Sequence, residues 1–165
     1  MSLLGERAPE FELASTAGGT VELADTLDGG PTVVVPFRGT WCSFCAEQLE
    51  TFSRLAYDMH RHQGVDVLPF TNVPASELVE HRDRYDLRIQ LLSDPGFEAT
   101  RRYSGVAEHP DHGEHTRAAT YVVDADGVVR YEHVADHSAD RTYANTVRYL
   151  LKNDYEDVYF GRHDA

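Results

Sequence analysis

Cys42 and Cys45 are the two cysteines of the chain, set three residues apart as Cys-Ser-Phe-Cys. The nucleophile of thiol chemistry is the thiolate, and a free cysteine with a pKa near 8.5 is only about 3 % ionised at pH 7. A helix N-terminus changes that balance, because its unpaired amides and its dipole favour an anion. A thiol lowered there to about 7 is roughly half ionised. Three residues is also the spacing that puts two side chains on one helical face. Attack by one sulfur can then be resolved by the other. A secreted scaffold would carry more cysteines, and a zinc ribbon would need a second pair. Redox chemistry is therefore the first reading. A zinc or iron ion on both thiols, or two inert buried cysteines, are the others.

Other residues can serve that pair. Arg38 and Arg117 can stabilise a thiolate or the leaving oxygen of a peroxide, or can simply form surface ion pairs. Thr40 can hydrogen-bond a sulfur or cap the following helix. Trp41 is a packing residue or a substrate platform. A second cluster, His109, His112 and His115 with Asp111 and Glu114, has donors suited to a transition metal. It reads first as a solvated loop bearing proline and glycine, so no metal is expected.

The elements around the pair read as alternating strands and helices. Residues 11–13 and 21–23 flank Gly18-Gly19 as an N-terminal hairpin. Thr32 to Val35 is a β-branched run suited to a strand buried on both faces. From Cys45 the apolar positions Leu49, Phe52, Leu55, Ala56 and Met59 form one helical face, with Gly64 as its stop. Val65 to Phe70 predicts a strand in which Pro69 marks a bulge or edge. Ser76 is placed to cap a helix carrying Leu78, Val79 and Tyr85. Ile89 to Leu92 predicts a short strand, and Asp94-Pro95 opens a helix to about Tyr103. Thr120–Val123 and Val128–Val134 flank Asp124-Ala125-Asp126-Gly127 as a hairpin. Tyr143 to Leu151 has helical spacing. Parallel units closed by an antiparallel hairpin and a helix give an α/β fold with a mixed central sheet between helices.

The 165 residues fit a single domain spanning 1–165, and 41 % hydrophobic composition supplies a core. No apolar run reaches the roughly 20 residues of a membrane span. The start lacks a basic-then-apolar signal, so a cytoplasmic protein is expected. With 28 acidic and 15 basic residues the net charge is −13. That charge repels nucleic acid and anionic membranes. Lys152 is the lone lysine. Such acid-rich, lysine-poor composition resembles that of proteins from salt-loving microbes, and predicts that salt stabilises the fold by screening self-repulsion.

The run Phe37-Arg38-Gly39-Thr40-Trp41-Cys42-Ser43-Phe44-Cys45-Ala46-Glu47-Gln48-Leu49 resembles the strand-to-helix segment of thioredoxin-fold proteins. It is most similar to the peroxiredoxin-like branch, the alkyl hydroperoxide reductase/thiol-specific antioxidant family. Ala8 to Leu13, Leu92-Ser93-Asp94-Pro95, Tyr103 to Val106, and Thr120 to Gly127 are similar to further signatures of that family. The resemblance implies a thioredoxin-like three-layer α/β/α fold. It also implies a thiol-dependent oxidoreductase that reduces hydrogen peroxide or alkyl hydroperoxides through Cys42 and Cys45. No cofactor is implied, and the reductant is an external dithiol such as a thioredoxin-like protein. Some positions depart from the pattern. Ser43 stands where proline is frequent, Cys42 stands at the threonine of Thr-x-x-Cys, and Arg117-Ala118-Ala119 precedes Thr120 where a cis-proline or an arginine is expected. Thioredoxin logic makes Cys42 the attacker, whereas peroxiredoxin logic makes it Cys45. Disulfide exchange on proteins, and a non-enzymatic redox sensor or metal-binding module, are the alternative functions.

Overall fold

The computed structural model describes residues 2–155. In chain order the elements are β1 (Glu12–Ser15), β2 (Thr20–Glu22), α1 (Leu23–Leu27), β3 (Thr32–Pro36), α2 (Ser43–Gln63), β4 (Asp66–Thr71) and α3 (Ala75–Arg84). They continue with β5 (Leu92–Ser93), α4 (Glu98–Arg102), β6 (Val106–His109), β7 (Gly113–Thr116), β8 (Ala119–Val123), β9 (Val129–Val134) and α5 (Ala144–Lys152). Seven strands form one sheet in the order β2-β1-β5-β4-β3-β8-β9, with β6 and β7 apart as a two-stranded hairpin. β3, β4 and β5 run parallel, and β8, β9, β1 and β2 pair antiparallel to their neighbours.

Alternation along the central strands separates two cores. Val33, Val35, Val67 and Val122 pack with α2, α3 and α5 through Leu49, Phe52, Leu78 and Val147. Val34, Leu68, Tyr121 and Val123 face the other way, against α1 and α4 through Leu23 and Ala99. This is the expected three-layer arrangement, and it puts β3 at the middle of the sheet. Every residue of β3 is buried, which is why it reads as an uninterrupted β-branched run.

Several expectations are corrected. Pro69 marks neither a bulge nor an edge, since β4 lies between β3 and β5 and pairs with β3 in unbroken register from Asp66 to Phe70. The peptide groups of Asp66 and Phe70 face β3, so that of Pro69 faces β5. There only Phe70 and Thr71 find strand partners, and a missing N–H breaks no ladder bond. Ser76 is not a cap, because the N-cap of α3 is Pro74. The strand expected at Ile89–Leu92 shortens to Leu92–Ser93. The helix expected from Asp94 begins only at Glu98, because Phe97 adopts a left-handed φ of 59°. Asp94 still serves it, accepting from the amides of Ala99 and Thr100. The histidine-rich segment is not a loop but the β6–β7 hairpin, registered from Val106↔Thr116 to His109↔Gly113. Its polar residues give no apolar alternation to reveal it.

Candidate active site: a dithiol under one arginine

The chain leaves the buried end of β3 and turns into α2 through Arg38-Gly39-Thr40-Trp41. Gly39 is required here. Its φ is +151°, and a Cβ would stand 2.7 Å from Nε1 of Trp41. Cys42 is itself the N-cap of α2, its sulfur accepting from the Cys45 amide at 3.3 Å. The capping role considered for Thr40 is thus filled by a cysteine. Thr40 makes no hydrogen bond to either sulfur among the described residues.

Both sulfurs are buried and reduced. Cys42 keeps 5 % exposure and Cys45 none. The Cys45 sulfur accepts from the backbone N–H of Arg38 at 3.3 Å. The guanidinium of Arg141 covers the pair, with Nη1 3.3 Å from the Cys45 sulfur and Nη2 3.4 Å from that of Cys42. Arg38 adds a longer approach to Cys42, Nη1 to sulfur 4.0 Å. Arg141 is held in turn. Its Nη1 donates to Oε1 of Gln48 at 3.2 Å and its Nε to the Ser138 carbonyl. Gln48 is buried, and its amide nitrogen donates to Thr120 Oγ1 and to the Thr142 carbonyl. All its polar atoms are used, which fixes the arginine from both sides.

These contacts split the two thiols. Donation from the Cys45 thiol lowers the pKa of Cys42 to about 5. Burial opposes that shift, while the Cys45 amide, Arg141 and Arg38 reinforce it. Burial pushes the Cys45 thiol well above its ordinary value, aided by its donation to Cys42. The reduced pair at neutral pH is therefore a Cys42 thiolate beside a Cys45 thiol.

Of the other residues singled out from sequence, Trp41 sits beside the pair with Arg38 over its ring, 4.7 Å from the centroid. The hairpin closes on the same indole. His112 stacks on Trp41 at 4.0 Å, and His109 and His115 lie at 4.9 and 5.5 Å. No group of three or more His, Cys, Asp or Glu among the described residues is arranged to hold a metal ion. Arg117 does not reach a sulfur. Its backbone is tied to Gly105 and Ser104 and its side chain is exposed. Arg141 and Gln48 occupy the site without having been singled out from sequence. Arg141 lies 96 positions beyond Cys45, in a polar stretch with no local signal. Gln48, three positions after Cys45 on the core-facing side of α2, was a legible exception to the apolar stripe.

A close pair of free thiols where a buried central strand enters a helix, in a three-layer α/β/α fold, is the arrangement of a thiol-dependent oxidoreductase of the thioredoxin-fold class. The sequence profile of the AhpC/TSA family matches residues 4–132, and the chain belongs to that family. It is 27 % identical to peroxiredoxin Q, chloroplastic, of Oryza sativa subsp. japonica, over 88 % of this chain and 65 % of the rice protein. The chain thus spans somewhat less than two thirds of that relative. It is 30 % identical to the thiol-disulfide oxidoreductase ResA of Halalkalibacterium halodurans, over 70 % of this chain and 68 % of that protein. Among solved structures, peroxidoxin BcpB from Mycobacterium tuberculosis superimposes with a TM-score of 0.81 at 18 % identity, covering 93 % of this chain and 98 % of that one. No helix among the described residues is long and apolar enough to cross a membrane.

Proposed function

We propose that the protein reduces hydrogen peroxide or small alkyl hydroperoxides, with Cys42 as the attacking sulfur and Cys45 as the resolving one. The observation that carries this reading is the Arg141 guanidinium spanning both sulfurs at the α2 N-terminus. It stabilises the Cys42 thiolate and faces the oxygen that leaves when the O–O bond breaks. The Cys42 thiolate attacks one peroxide oxygen, the O–O bond breaks, and the other oxygen departs as water or alcohol after taking a proton. Cys42 is left as sulfenic acid. The Cys45 sulfur then attacks the Cys42 sulfur and displaces water, forming the disulfide. An external dithiol, such as a thioredoxin-like protein, returns the pair to the reduced state. The protein is a single cytoplasmic domain in this reading.

A second reading, exchange with protein disulfides, is favoured by the same ionised and less buried Cys42 and by the likeness to ResA. Stopped-flow oxidation by hydrogen peroxide in molar KCl, followed by the emission of Trp41, separates them. The expected result is a rate far above that of free cysteine. Cys42→Ser abolishes it, and Cys45→Ser retains it for one turnover, ending in a sulfenic acid that dimedone traps. A wild-type rate no better than free cysteine rejects the peroxidase, and insulin reduction then tests exchange. Loss only in Cys45→Ser would reverse the assigned roles.

A further inference from the structure

Arg38, whose guanidinium approaches the Cys42 sulfur, borders a recess of about 140 Å³ between the β6–β7 hairpin and the loop after β9. A cavity of roughly 150 Å³ accepts a benzene-sized ligand, so a small amino acid is the right bulk. The recess has an alanine floor, Ala107, Ala118 and Ala135. Its rim carries both signs of charge, Arg38 and Arg117 against Glu108 and Asp136. None of these four is ion-paired with another. Two links join the recess to the reacting sulfurs. Arg38 lines it and also approaches Cys42, and Ser138 lines it and holds Arg141 through its carbonyl. A ligand with a carboxylate alone would meet two unneutralised acids here, and one with an ammonium alone would meet two guanidiniums. A zwitterion pairs both.

We propose that this recess binds the ammonium and carboxylate of a small α-amino-acid thiol, which reduces the Cys42–Cys45 disulfide as a second reductant beside the external dithiol. The inference rests on the dithiol reading of the site but not on peroxide as its oxidant. The thiolate of the bound amino acid attacks the Cys42 sulfur, the S–S bond breaks, and Cys45 leaves and takes a proton. A second thiolate attacks the outer sulfur of the mixed disulfide. The Cys42 thiolate departs, and the two small thiols leave as their own disulfide, so two thiols are oxidised for one protein disulfide reduced.

The test uses the whole protein oxidised with diamide, so that it holds whether or not peroxide is the oxidant. Reduction is followed through Trp41 in molar KCl with cysteine, cysteamine, 3-mercaptopropionate and 2-mercaptoethanol. Each rate is taken per thiolate and divided by that thiol's rate with 2-hydroxyethyl disulfide. The recess predicts cysteine first, by about tenfold over each of the other three. Arg117→Gln brings cysteine down to the level of cysteamine, and Asp136→Asn brings it to that of mercaptopropionate. Arg88→Gln, distant from the recess, leaves the order unchanged. The negative charge of the whole protein favours cysteamine and disfavours mercaptopropionate. An order that follows net charge, or four normalised rates within twofold, overturns the proposal. Failure of peroxide to oxidise the protein, with the thiol order intact, overturns only the peroxidase reading.

Discussion

The β3–α2 junction and the β6–β7 hairpin both reach the surroundings of Cys42, and they differ in what holds them. At the junction the sulfurs meet two backbone amides and the guanidinium of Arg141, with that of Arg38 farther from Cys42, and Arg141 is locked by a buried glutamine whose partners are themselves fixed. At the hairpin His112 is exposed and His109 half-buried, and both touch Trp41 rather than a sulfur. Buried donors need no reorganisation when charge changes on sulfur, whereas exposed side chains share their effect with water. Reactivity should therefore reside in the junction, and the hairpin should act on access to Trp41.

The largest effect is expected at Arg141. Arg141→Met should slow peroxide oxidation by about 10² to 10³ and raise the pKa of Cys42, read from thiolate absorbance. A hairpin variant with a comparable loss would break the contrast. The pH profile comes next. With Cys42 near 5, the rate should be level from pH 8 to 6 and fall by about tenfold per unit well below 5, as thiolate is lost. The same sign governs stability. A depressed folded pKa contributes stability above the unfolded value, and this is lost as pH falls toward 5. Reduced wild type should lose more melting temperature than Cys42→Ser between pH 8 and 5.

Gln48→Leu should cost about tenfold in rate by releasing Arg141, with little further loss in an Arg141→Met background, as expected of residues that act as one unit. An additive double mutant would show that Gln48 acts separately. His112→Ala should change the peroxide rate by less than about twofold while shifting the emission of Trp41. Salt sharpens the contrast. Molar KCl should raise the melting temperature by screening the net charge of −13. The Cys42 pKa should stay nearly constant, because both sulfurs are buried and the half-buried Arg141 is anchored on the buried Gln48. A melting temperature indifferent to KCl would reject the reading of this composition as salt-adapted.

Much of the fold was legible because its elements announce themselves locally. The β-branched run of β3, the apolar stripe of α2 with Gly64 at φ 67°, and the Asp124–Gly127 turn each follow from short-range chemistry. The β6–β7 hairpin was illegible because its pairing joins polar residues, and α4 was overextended because a left-handed Phe97 has no sequence signature. The site divides in the same way. Cys42 and Cys45 were visible from type and spacing, and their place at a helix start from the strand before them. Arg117 was singled out for lying near the expected position along the chain, yet Arg141 took the place over the sulfurs.

By itself the sequence determined that two thiols share one turn at the head of a helix behind a buried strand, since strand, turn and helix are contiguous and each is set by near neighbours. Only the tertiary structure decided which arginine covers them and which sulfur carries the charge. Those outcomes depend on where the β9–α5 loop crosses the end of the sheet, and on a difference in burial between two cysteines that are alike in sequence.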